Sequence, residues 1–209
     1  MTAVQRPQKN FPIFPVIFGV VAVALITLVV LTFDSGGAGS ETGSPAITGE
    51  TLPFLPEGGS DPALGMLAPE VSGTDFDGTA LSMTNDGRAK VILFVAHWCP
   101  HCQREVPIVQ DWLDSTTLPP NVDFYTISTS ISSTRDNYPP SAWLEREGWT
   151  AQVILDDAAS SIGNAFGLTA FPFWVFTSAD GTVMARVTGG VSPSDLDAAV
   201  AALQEQTAG

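Results

Sequence analysis

The sequence predicts an α/β domain carried behind a single N-terminal transmembrane helix. Three observations point there. An uncharged apolar stretch runs from Phe11 to Phe33. From Leu67 onward, short apolar runs of strand character alternate with segments of helical period. The only two cysteines of the 209 residues, Cys99 and Cys102, lie where one such strand run meets a helical one.

Arg6 and Lys9 precede the apolar stretch and Asp34 follows it. Its densest part, Val16 to Leu31, is almost wholly Val, Ile, Leu, Ala and Phe. A spanning helix needs about 20 apolar residues to cross roughly 30 Å of hydrocarbon. Pro12 and Pro15 stand near its start, where a helix tolerates them. The positive-inside rule then puts residues 1–10 in the cytoplasm, 11–33 in the membrane and the rest outside. The alternative is a signal peptide cut near Gly36-Gly37-Ala38-Gly39-Ser40, although the run exceeds the usual ~7–15-residue apolar core. Either way the remainder is exported to a place where disulfides persist.

Residues 34–61 are rich in Gly, Ser, Thr, Pro and Glu and read as a flexible extracytoplasmic linker. About 28 such residues span very roughly 30 Å, enough for a tethered domain to sample partners at the membrane. Six basic and all 22 acidic residues follow the membrane segment, a net charge of −16. That balance argues against nucleic acid or anionic lipid as a partner.

The domain proper is expected over 62–209. Asp77-Gly78, between two short alternating runs from Val71 to Met83, signals an N-terminal hairpin. Lys90 to Ala96 is nearly all apolar, as for a central strand covered on both faces. Cys99 to about Leu113 reads as helix, with Val106, Val109 and Leu113 at core spacing. Pro107 lies inside it and is read as a kink, because Ile108 and Val109 continue the apolar pattern. There follow a strand at Val122–Ile127, a short helix at Ser141–Glu147, a strand at Val153–Leu155 and a helix at Ala158–Phe166. Phe173–Phe176 and Thr182–Val187 flank Asp180-Gly181 as an antiparallel hairpin. The last helix opens at Ser192, a good N-cap, with Pro193 at its first position and Asp195 in its first turn.

Two cysteines can neither build a multi-bridge scaffold nor close a four-cysteine zinc site. They suit a redox dithiol, a local disulfide, or half of a mixed Cys/His metal site. Free N–H groups at a helix start favour the thiolate form of Cys99, the first and more exposed sulfur. Cys102, one turn on, is placed to resolve a mixed disulfide. Pro100 suits the first turn, where its missing N–H is not needed. His101 presents an imidazole beside the Cys99 sulfur; a positive charge there would favour the reduced form and make the disulfide a stronger oxidant.

The order of elements, the CxxC at the first helix start and Phe171-Pro172 before the closing hairpin resemble the thioredoxin fold. Within it the chain resembles the membrane-anchored TlpA/ResA-type thiol-disulfide oxidoreductases. Ala68-Pro69, Asp77-Gly78, Trp98-Cys99, Glu105, Pro107 and the stretch from Gly167 to Asp180-Gly181 carry that likeness over roughly 67–206. The resemblance implies a thioredoxin-like fold with a central mixed sheet flanked by helices. It implies Cys99 and Cys102 as catalytic residues, supported by Trp98, Pro100, His101 and Glu105. It also implies a cis Phe171–Pro172 bond that lines a cleft for an extended substrate.

Two departures stand out. The buried acid of thioredoxin's central strand is replaced by Leu93, so Glu105 or water is left to carry the proton of the second cysteine. Pro100-His101 resembles the dithiol oxidases of the disulfide-bond-forming A type more than the reductases. The expected activity is disulfide exchange with exported thiol or disulfide proteins, in the reducing direction, with a membrane electron donor or acceptor as a further partner. A dithiol oxidase or isomerase is the alternative. No cofactor or resident metal is expected, and the competing metal-handling reading would join the two thiols with His97 or His101.

Overall fold

Strand β4 (Ala89–Val95) is buried at every position. This is why its sequence is apolar on both faces. Ala89, Val91, Leu93 and Val95 enter one core; Ile92 and Phe94 enter the other. The computed structural model describes residues 41–206. β4 is the middle of a five-stranded mixed sheet, with parallel neighbour β5 (Val122–Ser128) and then β6 (Gln152–Leu155) on one side. On the other side lie antiparallel β7 (Phe173–Thr177) and β8 (Val183–Thr188).

The two faces are covered differently. Helices α1 (Pro100–Ser115), α2 (Pro140–Arg146) and α4 (Pro193–Gln206) supply Val106, Val109, Trp112, Trp143, Leu196 and Val200 to the core that contains Leu93 and both cysteines. The short α3 (Ser161–Ala165) supplies Ile162 and Ala165 to the opposite core, where Phe94 packs against Phe166 and Phe173. A second sheet adds Val71 and Met83 to that core. It is three-stranded and antiparallel, in the order β1 (Ala46–Thr48), β2 (Glu70–Thr74), β3 (Ala80–Met83). The expected hairpin is therefore present and gains one strand.

Two expectations change. The 34–61 segment is not a free linker over its described part, 41–61. Glu41 accepts the Ser141 N–H and hydroxyl at 3.0 and 2.6 Å. Gly43 and Leu52 donate backbone bonds to Asp156 and Ala165, and Leu52 is buried in the second core. Arg186 locks the segment in place. It pairs with Asp61 (Nε to Oδ2 2.9 Å) and donates to the carbonyls of Pro53 and Phe166. Gly167, at φ +71°, permits this approach, since a Cβ there would stand 2.3 Å from the Pro53 oxygen. Polar composition hid a strap held by a few anchors.

Helix α3 is shorter than expected. The Asp157 carboxylate accepts the N–H groups of Ala159 and Ser161, holding residues 157–160 in a turn. Conversely, α1 runs through Pro107 to Ser115 without a break. The expected membrane segment, 11–33, lies outside the described residues; among those described no helix is long and apolar enough to cross a membrane.

The Arg186 side chain is fully buried. Breaking a buried pair by removing one partner costs about 3–5 kcal/mol. Arg186→Met is expected to lose that much in urea unfolding. A loss under about 1 kcal/mol would show that the strap is not held by this pair.

Candidate functional site: a dithiol at the start of a helix

Helix α1 begins directly after β4 and a short turn. Cys99 is its N-cap, with φ −77° and ψ 119°, and Pro100 occupies the first helical turn. The turn is closed by Cys99 N–H to Ala96 O at 2.9 Å and by Gln103 N–H to Cys99 O at 3.0 Å. This puts Cys99 at the rim, 7% exposed, and Cys102 one turn deeper, at 0%. Both are free thiols. Burial pushes the Cys102 thiol far above its ordinary value, and Cys99 and Glu105 add to the shift.

Phe171 closes the rim from the opposite side. Its carbonyl oxygen stands 3.9 Å from the Cys99 sulfur, and the Phe171–Pro172 bond is cis, as expected. The Phe171 ring meets Trp98 edge-on at 5.9 Å. Trp98 is fixed by its own indole N–H, which donates to Ser130 O at 2.7 Å. Thus Trp98, Cys99 and Phe171, singled out separately in the sequence, are brought together.

Glu105 is not a surface residue. It is 5% exposed, and its Oε1 accepts the Val191 N–H at 2.7 Å. Burial raises its pKa, against the lowering effect of that bond. Gly190 is what lets the loop close over it: a Cβ there would lie 2.6 Å from Oε2. Glu105 sits one turn beyond Cys102 on α1. Leu93, where thioredoxin carries its acid, is wholly buried.

His101 is the second of the two residues between the cysteines. It is exposed, and Arg104 Nη2 lies 2.8 Å from its Nδ1. A guanidinium can only donate, so Nδ1 accepts. Arg104 thus sets a guanidinium against the imidazole of the motif. Among the described residues no group of three His, Cys, Asp or Glu side chains is arranged to hold a metal ion. His97 is already engaged: its Nδ1 lies 2.7 Å from Asp136 O and its Nε2 accepts the Ser132 N–H at 3.2 Å.

That bonding exposes a part of the site that sequence reasoning missed. The 129–139 connection between β5 and α2 folds over the turn before the cysteines. His97 holds its backbone at two points, and Asn137 Nδ2 reaches back to His97 O at 3.4 Å. The Arg135 guanidinium carbon lies over the Trp98 ring, 4.1 Å from its centroid, and Tyr138–Pro139 is a second cis bond. No local signal marked this connection: it exceeds the usual ~4–6 residues but not the ~12–15 beyond which connections are usually functional.

A dithiol at a helix start, beside the central strand of a mixed sheet and facing a cis-proline turn, defines a thioredoxin-like thiol-disulfide oxidoreductase. The chain belongs to the thioredoxin-like domain family, which matches residues 79–204. Solved structures agree. The chain is similar to MTB dsbF, seen in mixed oxidized and reduced forms, at 27% identity and TM-score 0.53, covering 63% of this chain and 93% of that one. It is similar to a secreted Mycobacterium tuberculosis disulfide oxidoreductase homologous to E. coli DsbE, at 26% and 0.52, covering 63% and 95%. StoA from Bacillus subtilis, at 16% and 0.52 with 75% and 97% covered, shares the fold. No curated protein sequence matches the chain.

Burial lowers the His97 pKa, so the fold keeps that imidazole neutral, against the raising effects of its bond to Asp136 and of Glu41. The unfolded chain, with an ordinary value near ~6.5, binds the proton more readily. Stability from neutral His97 is complete above about pH 6.5 and is lost as pH falls below it. The wild-type urea midpoint is expected to contain this downward component between pH 7.5 and 5.5, and His97→Asn to lack it. Parallel pH profiles for the two proteins would contradict the assignment.

Proposed function

We propose that the protein is an extracytoplasmic thiol-disulfide oxidoreductase that reduces disulfides of exported proteins through Cys99 and Cys102. The observation that carries this reading is the unequal burial of the two thiols at the start of α1. The rim sulfur is the one a substrate can reach. The buried sulfur can reach only its neighbour.

In the forward step the Cys99 thiolate attacks one sulfur of a substrate disulfide. A Cys99–substrate S–S bond forms, the substrate S–S bond breaks, and the departing sulfur leaves as a thiolate that takes a proton. Cys102 then loses its proton and attacks the Cys99 sulfur. The Cys99–Cys102 bond forms and the second substrate sulfur leaves. The substrate gains two electrons and the enzyme dithiol becomes a disulfide. The buried Cys102 thiol holds its proton tightly, so this second step needs an acceptor. Glu105, buried one turn away, is the residue we assign to it. Phe171 and Pro172 would receive the substrate backbone as an added strand segment, while Trp98 and Pro100 shape the rim.

Topologically we assign residues 1–10 to the cytoplasm, 11–33 to a membrane anchor and 62–209 to the exported catalytic domain. The charge flanking the apolar stretch supports that orientation. A similar protein described as secreted also supports export. A membrane electron donor would re-reduce the enzyme. The oxidase reading is retained for the Pro100-His101 dipeptide between the cysteines, which resembles that of the disulfide-bond-forming A-type oxidases.

Cys99→Ser is expected to abolish reduction of insulin disulfides, while Cys102→Ser accumulates a covalent mixed disulfide with the substrate, visible on non-reducing gels. Full turnover by Cys102→Ser would overturn the division of roles. Direction is read from the reduction potential in a glutathione titration. A value near the roughly −270 mV of thioredoxin fits a reductase, and one near the −120 mV of a strong dithiol oxidant contradicts it.

A further inference from the structure

Six basic side chains follow the N-terminal apolar stretch: Arg88, Lys90, Arg104, Arg135, Arg146 and Arg186. Their pairing is uneven. Arg88 binds Asp123, Lys90 binds Asp86, and Arg186 binds Asp61. Arg104, Arg135 and Arg146 form no ion pair with a carboxylate among the described residues. In a domain this acidic, cations without a carboxylate are unexpected, and all three gather at the dithiol end. Arg104 reaches His101 of the motif. Arg135 lies over Trp98, the residue before Cys99. Arg146 donates to Asn137 Oδ1 and so braces the loop that carries Arg135.

The state of Arg135 is informative. The guanidinium carbon lies 4.1 Å from the Trp98 ring centroid, within cation–π range, and the group carries five N–H donors. Among the described residues none of these donors meets an acceptor. The ring contact leaves these donors open, and a guanidinium with open donors can take a carboxylate bidentately. Arg104 sits on an exposed turn of α1 and presents the second cation. One exposed acid, Asp136, shares the loop with Arg135. Its carbonyl is used by His97, so the loop backbone is fixed while the rim keeps an excess of positive charge.

We propose that Arg104 and Arg135 form a cationic rim beside Cys99 that docks an acidic segment flanking the redox cysteine of the partner polypeptide. This rests on the dithiol reading above and adds the chemistry of its substrate. The overall negative charge repels acidic chains at long range, and the rim selects them at contact, within the ~10 Å screening length at 0.1 M salt. An acidic partner meets attraction only when its cysteine is aligned with Cys99. A basic partner is drawn to the rest of the surface and opposed at the rim.

The test uses the full chain and three cyclic disulfide peptides that differ only in flanking residues: aspartates, serines or lysines. Exchange at about 0.1 M salt is expected to be about fivefold faster for the aspartate peptide than for the lysine peptide. The ratio should approach one at 0.5 M salt. Arg104→Glu/Arg135→Glu should invert the preference, and Arg104→Lys/Arg135→Lys should preserve its direction. Binding of linear versions with serine in place of cysteine, followed by peptide fluorescence anisotropy, reads the same preference with no redox step. Equal rates and equal binding across the three peptides, or a preference unchanged by the double glutamate variant, overturns the rim. Tighter binding of the aspartate peptide with no exchange of any peptide supports the rim and instead removes the dithiol reading.

Discussion

The Ala96 carbonyl accepts the Cys99 N–H, and the Cys99 carbonyl accepts the Gln103 N–H. Between these two bonds the chain leaves the central strand and becomes a helix. Proline at the first position loses no donor by being there, so the boundary is sharp. Its position decides which sulfur is outside. One residue at the cap faces the rim; the residue three further on faces the core. The difference in burial between the two sulfurs follows from that geometry before any nearby charge is considered.

The surroundings hold this boundary from three directions. Phe171 and its cis proline stand across from Cys99. The 129–139 loop, tied through His97, keeps Trp98 upright with Ser130 on its indole and Arg135 on its face. Glu105, pinned by Val191, fills the space behind Cys102. Further away, the Arg186–Asp61 pair binds the strap of 41–61 across the sheet's other face. The site thus lies at the start of α1 with its two sulfurs at different depths, held by contacts from separate parts of the chain.

Much of this was legible in the sequence where the signal is local. The unbroken apolar run of β4, the alternation around Asp77-Gly78 and the Ser192-Pro193 helix start each fall within a residue or two of the observed elements. Cys99, Cys102, Trp98 and Phe171 were named and meet in space. What escaped depends on distant partners. Nothing near Asp61 announces Arg186, and nothing near Trp98 announces Arg135. The helix position of Glu105 alone does not reveal the loop at 189–191 that covers it. Nothing in the motif itself announces that Arg104 meets the His101 imidazole. Composition misjudged 41–61 for a related reason: a polar segment can be ordered by Leu52, Glu41 and Asp61 alone when each finds a long-range partner.

The central claim is that burial divides the labour of the two thiols, and it is most directly tested by their reactivity. The reduced protein, treated briefly with iodoacetamide at neutral pH and mapped by mass spectrometry, should carry label on Cys99 while Cys102 stays free until the protein is unfolded. Equal labelling of both cysteines in the folded protein, or preferential labelling of Cys102, would contradict it.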